Sequence, residues 1–81
     1  KALTQEIALV MHLPVSDPKV QELIKRHHEG IEVFYDCPME MYRGLGQMYL
    51  TDPRFTKYYE DIEVGLAQFV SRAIDFYCSN R

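Results

Sequence analysis

Four prolines cut this chain into pieces that suit helices and little else. Proline lacks the backbone N–H that a helix interior needs and clashes with the turn before it, so Pro14, Pro18, Pro38 and Pro53 mark stops or starts. Between them the apolar residues recur at intervals of three and four, and no convincing strand can be read. The first helix is expected over about Thr4 to Leu13, with Leu3, Ile7, Val10 and Met11 in register, Thr4 as N-cap and Pro14 as stop. Asp17-Pro18 then pairs a polar cap with a proline at the first helical position. From there Val20, Leu23, Ile24, His27, Ile31 and Phe34 make one apolar stripe running to about Tyr35. Gly30 weakens that helix by roughly 1 kcal/mol relative to Ala and invites close approach of another helix. The third helix follows Cys37-Pro38 with Met41, Leu45, Met48 and Tyr49 as its stripe. Thr51-Asp52-Pro53 caps a short fourth helix carrying Phe55, Tyr58 and Tyr59. The fifth is expected from about Ile62 to Tyr77, with Ile62, Leu66, Phe69, Val70, Ala73, Ile74 and Tyr77 on one face. Short connections favour antiparallel or orthogonal packing, so the expected class is all-α, five helices in one domain.

Composition narrows the function. An apolar fraction of 47% with 26% charged residues belongs to a folded chain rather than a disordered one. The net charge is −3 and the nine Lys and Arg are scattered, which argues against direct DNA contact by this segment. No apolar run approaches the ~20 residues that cross a bilayer, and no signal-peptide pattern opens the chain. Cys37 and Cys78 are far apart and outside any CxxC motif, so a disulfide framework or zinc finger is disfavoured and a cytoplasmic location expected. The sequence opens at Lys1 within a helical reading, as a piece of a longer protein would.

Cys37 is the first residue with chemical promise. As an N-cap it would place Pro38 at N1 and Glu40 at N3, close to a capping box. A thiol there faces unpaired N–H groups and the positive end of the helix dipole, which favour the thiolate, while Asp36 opposes it. The plainer reading is a buried free cysteine acting as a small hydrophobe, the commoner fate of a lone thiol. His27 and His28 point about 100° apart on a helix and cannot chelate one metal together, and no other spacing suggests a metal site. His28 with Glu32 reads as a solvated i,i+4 contact. His27 falls on the apolar stripe, as a hydrogen-bonded core histidine, a ligand-orienting group or a base for Cys37. Without a Gly-rich oxyanion loop, a recognisable triad or a resolving cysteine, a Cys-dependent hydrolase or redox protein is the weakest reading.

Between Met39 and Tyr59 stand Met41, Tyr42, Met48, Tyr49, Phe55 and Tyr58, more large soft side chains than one helix face can hide. A cleft lined by Met and Tyr adapts to several apolar ligands, and a surface packed against another part of the same protein has the same composition.

The string Tyr35-Asp36-Cys37-x-x-Glu40-Met41-x-x-x-Leu45-Gly46-x-Met48-Tyr49-x-x-Asp52-x-Arg54-Phe55-Thr56 resembles the TipAS antibiotic-recognition domain. It is preceded by His27 and Gly30-Ile31 and continued by Gly65-Leu66-Ala67 and Ala73-Ile74. The resemblance covers roughly residues 27–74 and is densest over 35–56, with residues 1–26 matching as a helical lead-in. It implies the C-terminal effector domain of a MerR-family transcription activator, whose separate winged helix-turn-helix binds DNA and whose long helix makes a homodimer. It further implies a globin-like helical fold that binds thiopeptide antibiotics or other bulky hydrophobic drugs, with no cofactor, no metal, no membrane contact and no enzymatic activity. In the thiopeptide-responsive branch the cysteine of the Tyr-Asp-Cys motif adds to a dehydroalanine, which makes Cys37 the candidate point of covalent attachment. The chain departs from the family in its shorter N-terminal helical segment and in the Pro38-Met39 that follows the cysteine. The ligand-binding set expected from the resemblance is Tyr35, Cys37, Met41, Leu45, Met48, Tyr49, Phe55 and Tyr59. The alternative is a stand-alone drug-sequestering immunity protein.

Overall fold

Two Asp-Pro pairs start helices as their chemistry requires. The Asp17 carboxylate accepts from the Lys19 N–H at 2.8 Å and the Asp52 carboxylate from the Arg54 N–H at 3.0 Å, each with proline in the first helical turn. The computed structural model describes residues 2–80; Lys1, on which the reading of an open-ended first helix rested, lies outside them. The elements are α1 (Ala2–Leu9), α2 (Pro18–Glu32), α3 (Met39–Thr51), α4 (Pro53–Ile62) and α5 (Leu66–Ser79), and the described residues contain no strand.

Several boundaries differ from the sequence expectation, and α2 ends at Glu32 rather than near Tyr35. Thr4 does not cap α1 but lies within it, buried, and the helix ends at Leu9. Ahead of Pro14 the chain tightens into turns, with Val10 N–H on the Ile7 carbonyl and Leu13 N–H on the Val10 carbonyl, both at 3.0 Å. Pro38, not Cys37, occupies the cap position of α3, and no side chain caps that end. Ile62 closes α4 instead of opening α5. The break comes from Gly65, whose φ of 90° is a left-handed conformation open chiefly to glycine. Glu60 completes it, its two carboxylate oxygens accepting from the Gly65 N–H at 2.8 Å and the Ala67 N–H at 3.0 Å.

α5 is the centre of the packing. It buries Leu66, Ala67, Val70, Ala73, Ile74, Tyr77 and Cys78 and meets α2, α3 and α4, most extensively α3. α1 closes the other side against α2 and α4. Gly46 sets the α3–α5 approach, since a Cβ built there would sit 3.3 Å from Ile74 Cγ2. With Gly46 facing α5, the buried face of α3 is Tyr42, Gly46 and Tyr49, at i, i+4 and i+7. The expected stripe of Met41, Leu45, Met48 and Tyr49 is therefore rotated: Met41 is exposed, while Leu45 and Met48 are half-buried. Gly30 admits no neighbouring helix, because nothing lies within 4 Å of the position its Cβ would take.

Candidate functional site

The aromatic residues of α4 cannot all be hidden by a helix of ten residues. Tyr59 turns inward and is buried, whereas Phe55 and Tyr58 stay partly exposed. Tyr49 reaches across from α3, its ring 4.9 Å from that of Tyr59 and 5.8 Å from that of Phe55, while Tyr58 meets Tyr59 edge-on at 5.2 Å. Together with Arg54 these four rings line a cavity of about 420 Å³. A second cavity, also about 420 Å³, shares Tyr58 and Tyr59 and runs between α1 and α2. Its other walls are Leu3 and Thr4, then Arg26, His27, Gly30 and Ile31, then Phe34 and Tyr35 just beyond α2. The two cavities adjoin at the shared tyrosines and together form a two-part cleft with aromatic walls. Gly30 leaves its α2 wall low, and Phe34, 84% exposed, stands at the rim. Phe34 thus adds an exposed apolar rim to the aromatic hollow.

Charge is nearly absent from the interior of this cleft. Burial pushes the Tyr42 and Tyr59 phenols, and less strongly Tyr49, above the ordinary tyrosine range, so all three keep their protons. Burial, with His28 beside it, lowers His27 to about 4 and leaves the imidazole neutral at physiological pH. Its Nδ1 lies 2.7 Å from the Tyr42 hydroxyl. The two arginines are matched from outside, Arg54 by Asp52 at 2.9 Å and Arg26 by Glu6 at 3.4 Å. Such a lining suits a neutral, largely apolar ligand.

The corner from Tyr35 to Cys37 divides its roles. Tyr35 faces the cleft, but Cys37 is fully buried. Its carbonyl accepts from His28 Nε2 at 2.7 Å and its N–H donates to Glu32 Oε2 at 3.4 Å. Burial, and then the Glu32 carboxylate, push its thiol above the usual cysteine value. The plainer reading of Cys37 as a buried small hydrophobe therefore holds, and the N-cap alternative does not: the cap is one residue later, and the like charge that matters is Glu32 rather than Asp36. The histidines exchange places as well. His28, read as a surface partner of Glu32, is the buried one and stacks on Tyr42 with centroids 4.5 Å apart, while His27 is half-buried at the cleft wall.

Of the eight residues expected at the site, the cleft gathers Tyr35, Tyr49, Phe55 and Tyr59. Met41, Leu45 and Met48 line neither of its cavities, and neither does Cys37. Phe34, Tyr58 and Gly30 also line it but lie outside the expected set: from sequence Phe34 reads as part of the α2 stripe, Gly30 as a helix contact, and Tyr58 as one of an excess of aromatics. Among the described residues no three His, Cys, Asp or Glu side chains gather as a metal site, and no helix is long and apolar enough to cross a membrane.

Comparison with known proteins extends the resemblance from the central motif to nearly the whole chain. The family described as the TipAS antibiotic-recognition domain matches residues 1–77. The chain is 33% identical over 99% of its length to the HTH-type transcriptional activator mta of Bacillus subtilis, and 36% identical over 75% to the HTH-type transcriptional activator TipA of Streptomyces coelicolor. It is 29% identical over its full length to the HTH-type transcriptional regulator SkgA of Caulobacter vibrioides. It spans 32%, 24% and 33% of these relatives, respectively. No solved structure matches the chain significantly. With five helices in place and the family match running over residues 1–77, the chain belongs to the TipAS antibiotic-recognition domain family.

Proposed function

We propose that this domain is the effector sensor of a MerR-type transcription activator and takes bulky, neutral, largely apolar drug-like ligands, thiopeptides among them, into the cleft between α1, α2 and α4. The observation that carries the proposal is the aromatic lining of Tyr49, Phe55, Tyr58 and Tyr59, open to solvent and free of unmatched charge. Membership of the family and the activator names of its relatives support it. DNA contact and dimerisation fall to other parts of a longer cytoplasmic regulator, and this domain supplies the ligand-dependent bias. A ligand shifts such a regulator only through unequal affinity for its two states. Tyr35, Tyr49, Phe55 and Tyr59 are the contact residues of the expected set in this reading. Capture is reversible here, because the Cys37 thiol is enclosed and its pKa raised.

Titration of the domain with thiostrepton, followed by amide NMR shifts, tests the proposal. Shifts concentrated at Tyr35, Tyr49, Phe55, Tyr58 and Tyr59 support it, and an unchanged spectrum at saturating thiostrepton removes it. Intact-mass measurement on the same samples should show no adduct at Cys37.

A further inference from the structure

Tyr42 has one hydroxyl hydrogen and two polar neighbours. The Ile24 carbonyl, 3.2 Å away, can only accept, so the Tyr42 O–H points there. His27 Nδ1 lies 2.7 Å from the same oxygen, and the two contacts are hydrogen bonds together only if Nδ1 is the donor. In a neutral imidazole a proton on Nδ1 leaves Nε2 bare. The next residue carries the opposite tautomer for the same kind of reason. His28 Nε2 faces the Cys37 carbonyl and therefore holds a proton, leaving Nδ1 to accept from the Tyr77 hydroxyl at 3.2 Å. With both Tyr42 contacts made, the two adjacent rings carry different tautomers.

His27 is the one of the pair that lines the cleft, and its Nε2 has no hydrogen-bond partner among the described residues. No carboxylate lines either cavity, the arginines only donate, and the hydroxyls both donate and accept. We propose that His27 is the specificity-determining acceptor of the cleft, selecting ligands that present an N–H or O–H donor on an aromatic body. This rests on the cleft being the ligand site. A site built to pair a ligand N–H or O–H discriminates against the analogue that lacks it, because the acceptor is then left desolvated and unpaired.

The chain has no tryptophan, so naphthalene fluorescence reports binding directly. The test compares 2-naphthol with 2-methoxynaphthalene, which differ in one O–H donor. The expected result is about fivefold tighter binding of the naphthol, consistent with one hydrogen bond to a neutral acceptor. The preference should fall close to one in His27→Phe. Ring ¹⁵N NMR of the unaltered chain, which does not depend on that variant folding, should place the His27 proton on Nδ1. Equal binding of the two probes by the unaltered chain overturns the acceptor role while leaving the cleft as a ligand site. Failure of both to bind overturns the cleft and the acceptor together. A proton found on Nε2 overturns the tautomer and the proposal with it.

Discussion

His28 Nε2 donates to the Cys37 carbonyl at 2.7 Å, which fastens the turn ahead of α3 to α2 from within the core. The same ring accepts from Tyr77 on α5 and stacks on Tyr42 of α3, so one buried imidazole joins three helices. Replacing it with leucine keeps the volume roughly but leaves a buried carbonyl and a phenol without this partner. Each such loss costs about 1–3 kcal/mol. His28→Leu should therefore destabilise the domain by about 2–4 kcal/mol in urea unfolding. A loss under about 0.5 kcal/mol, the range of an ordinary surface substitution, would show that the joint has no structural weight.

Which of two neighbouring histidines is central was not legible in the sequence. Residues 27 and 28 both border the apolar face of α2, and the tie is broken only by partners 9 and 49 positions away along the chain. Local chemistry was legible where the cause is local: the Asp17-Pro18 and Asp52-Pro53 starts stand as read. The α4–α5 break was hidden because Gly65 and Glu60 act together across five residues. The cleft was half legible. An excess of aromatics announced it, but which rings reach it depends on the rotation of α3, and that is fixed by Gly46 against Ile74.

Gly46 and Gly44 should respond oppositely to alanine. At 46 the new methyl meets Ile74 Cγ2 at 3.3 Å and Cβ at 3.4 Å. Cβ moves only with its backbone and Ile74 is fully buried, so the neighbour cannot yield cheaply. The overpacking cost, about 1–3 kcal/mol, should exceed the helix-propensity gain of about 1 kcal/mol. At 44 nothing lies within 4 Å and only the gain applies. Thermal unfolding should show a lower midpoint for Gly46→Ala and a higher one for Gly44→Ala. Two shifts of the same sign would contradict the close α3–α5 approach.

Acid should weaken the fold through His27. In the unfolded chain its pKa returns towards 6.5, whereas in the folded chain it is lowered to about 4. Between those values the unfolded state binds the extra proton, so this contribution is complete above about pH 6.5 and is lost as pH falls towards 4. For a half-buried ring the amount is on the order of 2 kcal/mol. Urea midpoints at pH 7 and pH 4.5 should differ less in His27→Gln than in the parent. Equal pH dependence in the two proteins would remove His27 as the source.

Cys37 should resist alkylation while the fold is intact. Its side chain is enclosed and the Glu32 carboxylate adds to burial in raising its pKa, so little thiolate exists at neutral pH and less of it is reachable. Iodoacetamide at neutral pH should label it far more slowly in buffer than in urea, as read by peptide mass. Rapid labelling in buffer would mean that the corner opens readily, and would reinstate covalent capture as a route for this domain.

Glu60 should matter more than its place near the end of α4 suggests. Its two oxygens hold the Gly65 and Ala67 N–H groups, so one side chain reaches forward to satisfy the unpaired donors that open α5, where no side chain of the cap residue does so. A carboxylate at a helix N-terminus also meets the positive end of the dipole. Glu60→Ala should lose about 1–2 kcal/mol, and Glu60→Gln somewhat less, since the amide can satisfy one of the two N–H groups but carries no charge. Gly65→Ala should be destabilising as well, by about 1–2 kcal/mol, because its φ of 90° strains any residue with a Cβ. Because Glu60 lies next to Tyr59, which both cavities of the cleft share, hydrogen exchange at the first amides of α5 in Glu60→Ala separates a capping loss from a cleft effect. Faster exchange at Gly65 and Ala67 with the α4 amides unchanged is the expected pattern, and uniform acceleration through α4 would show that Glu60 acts elsewhere.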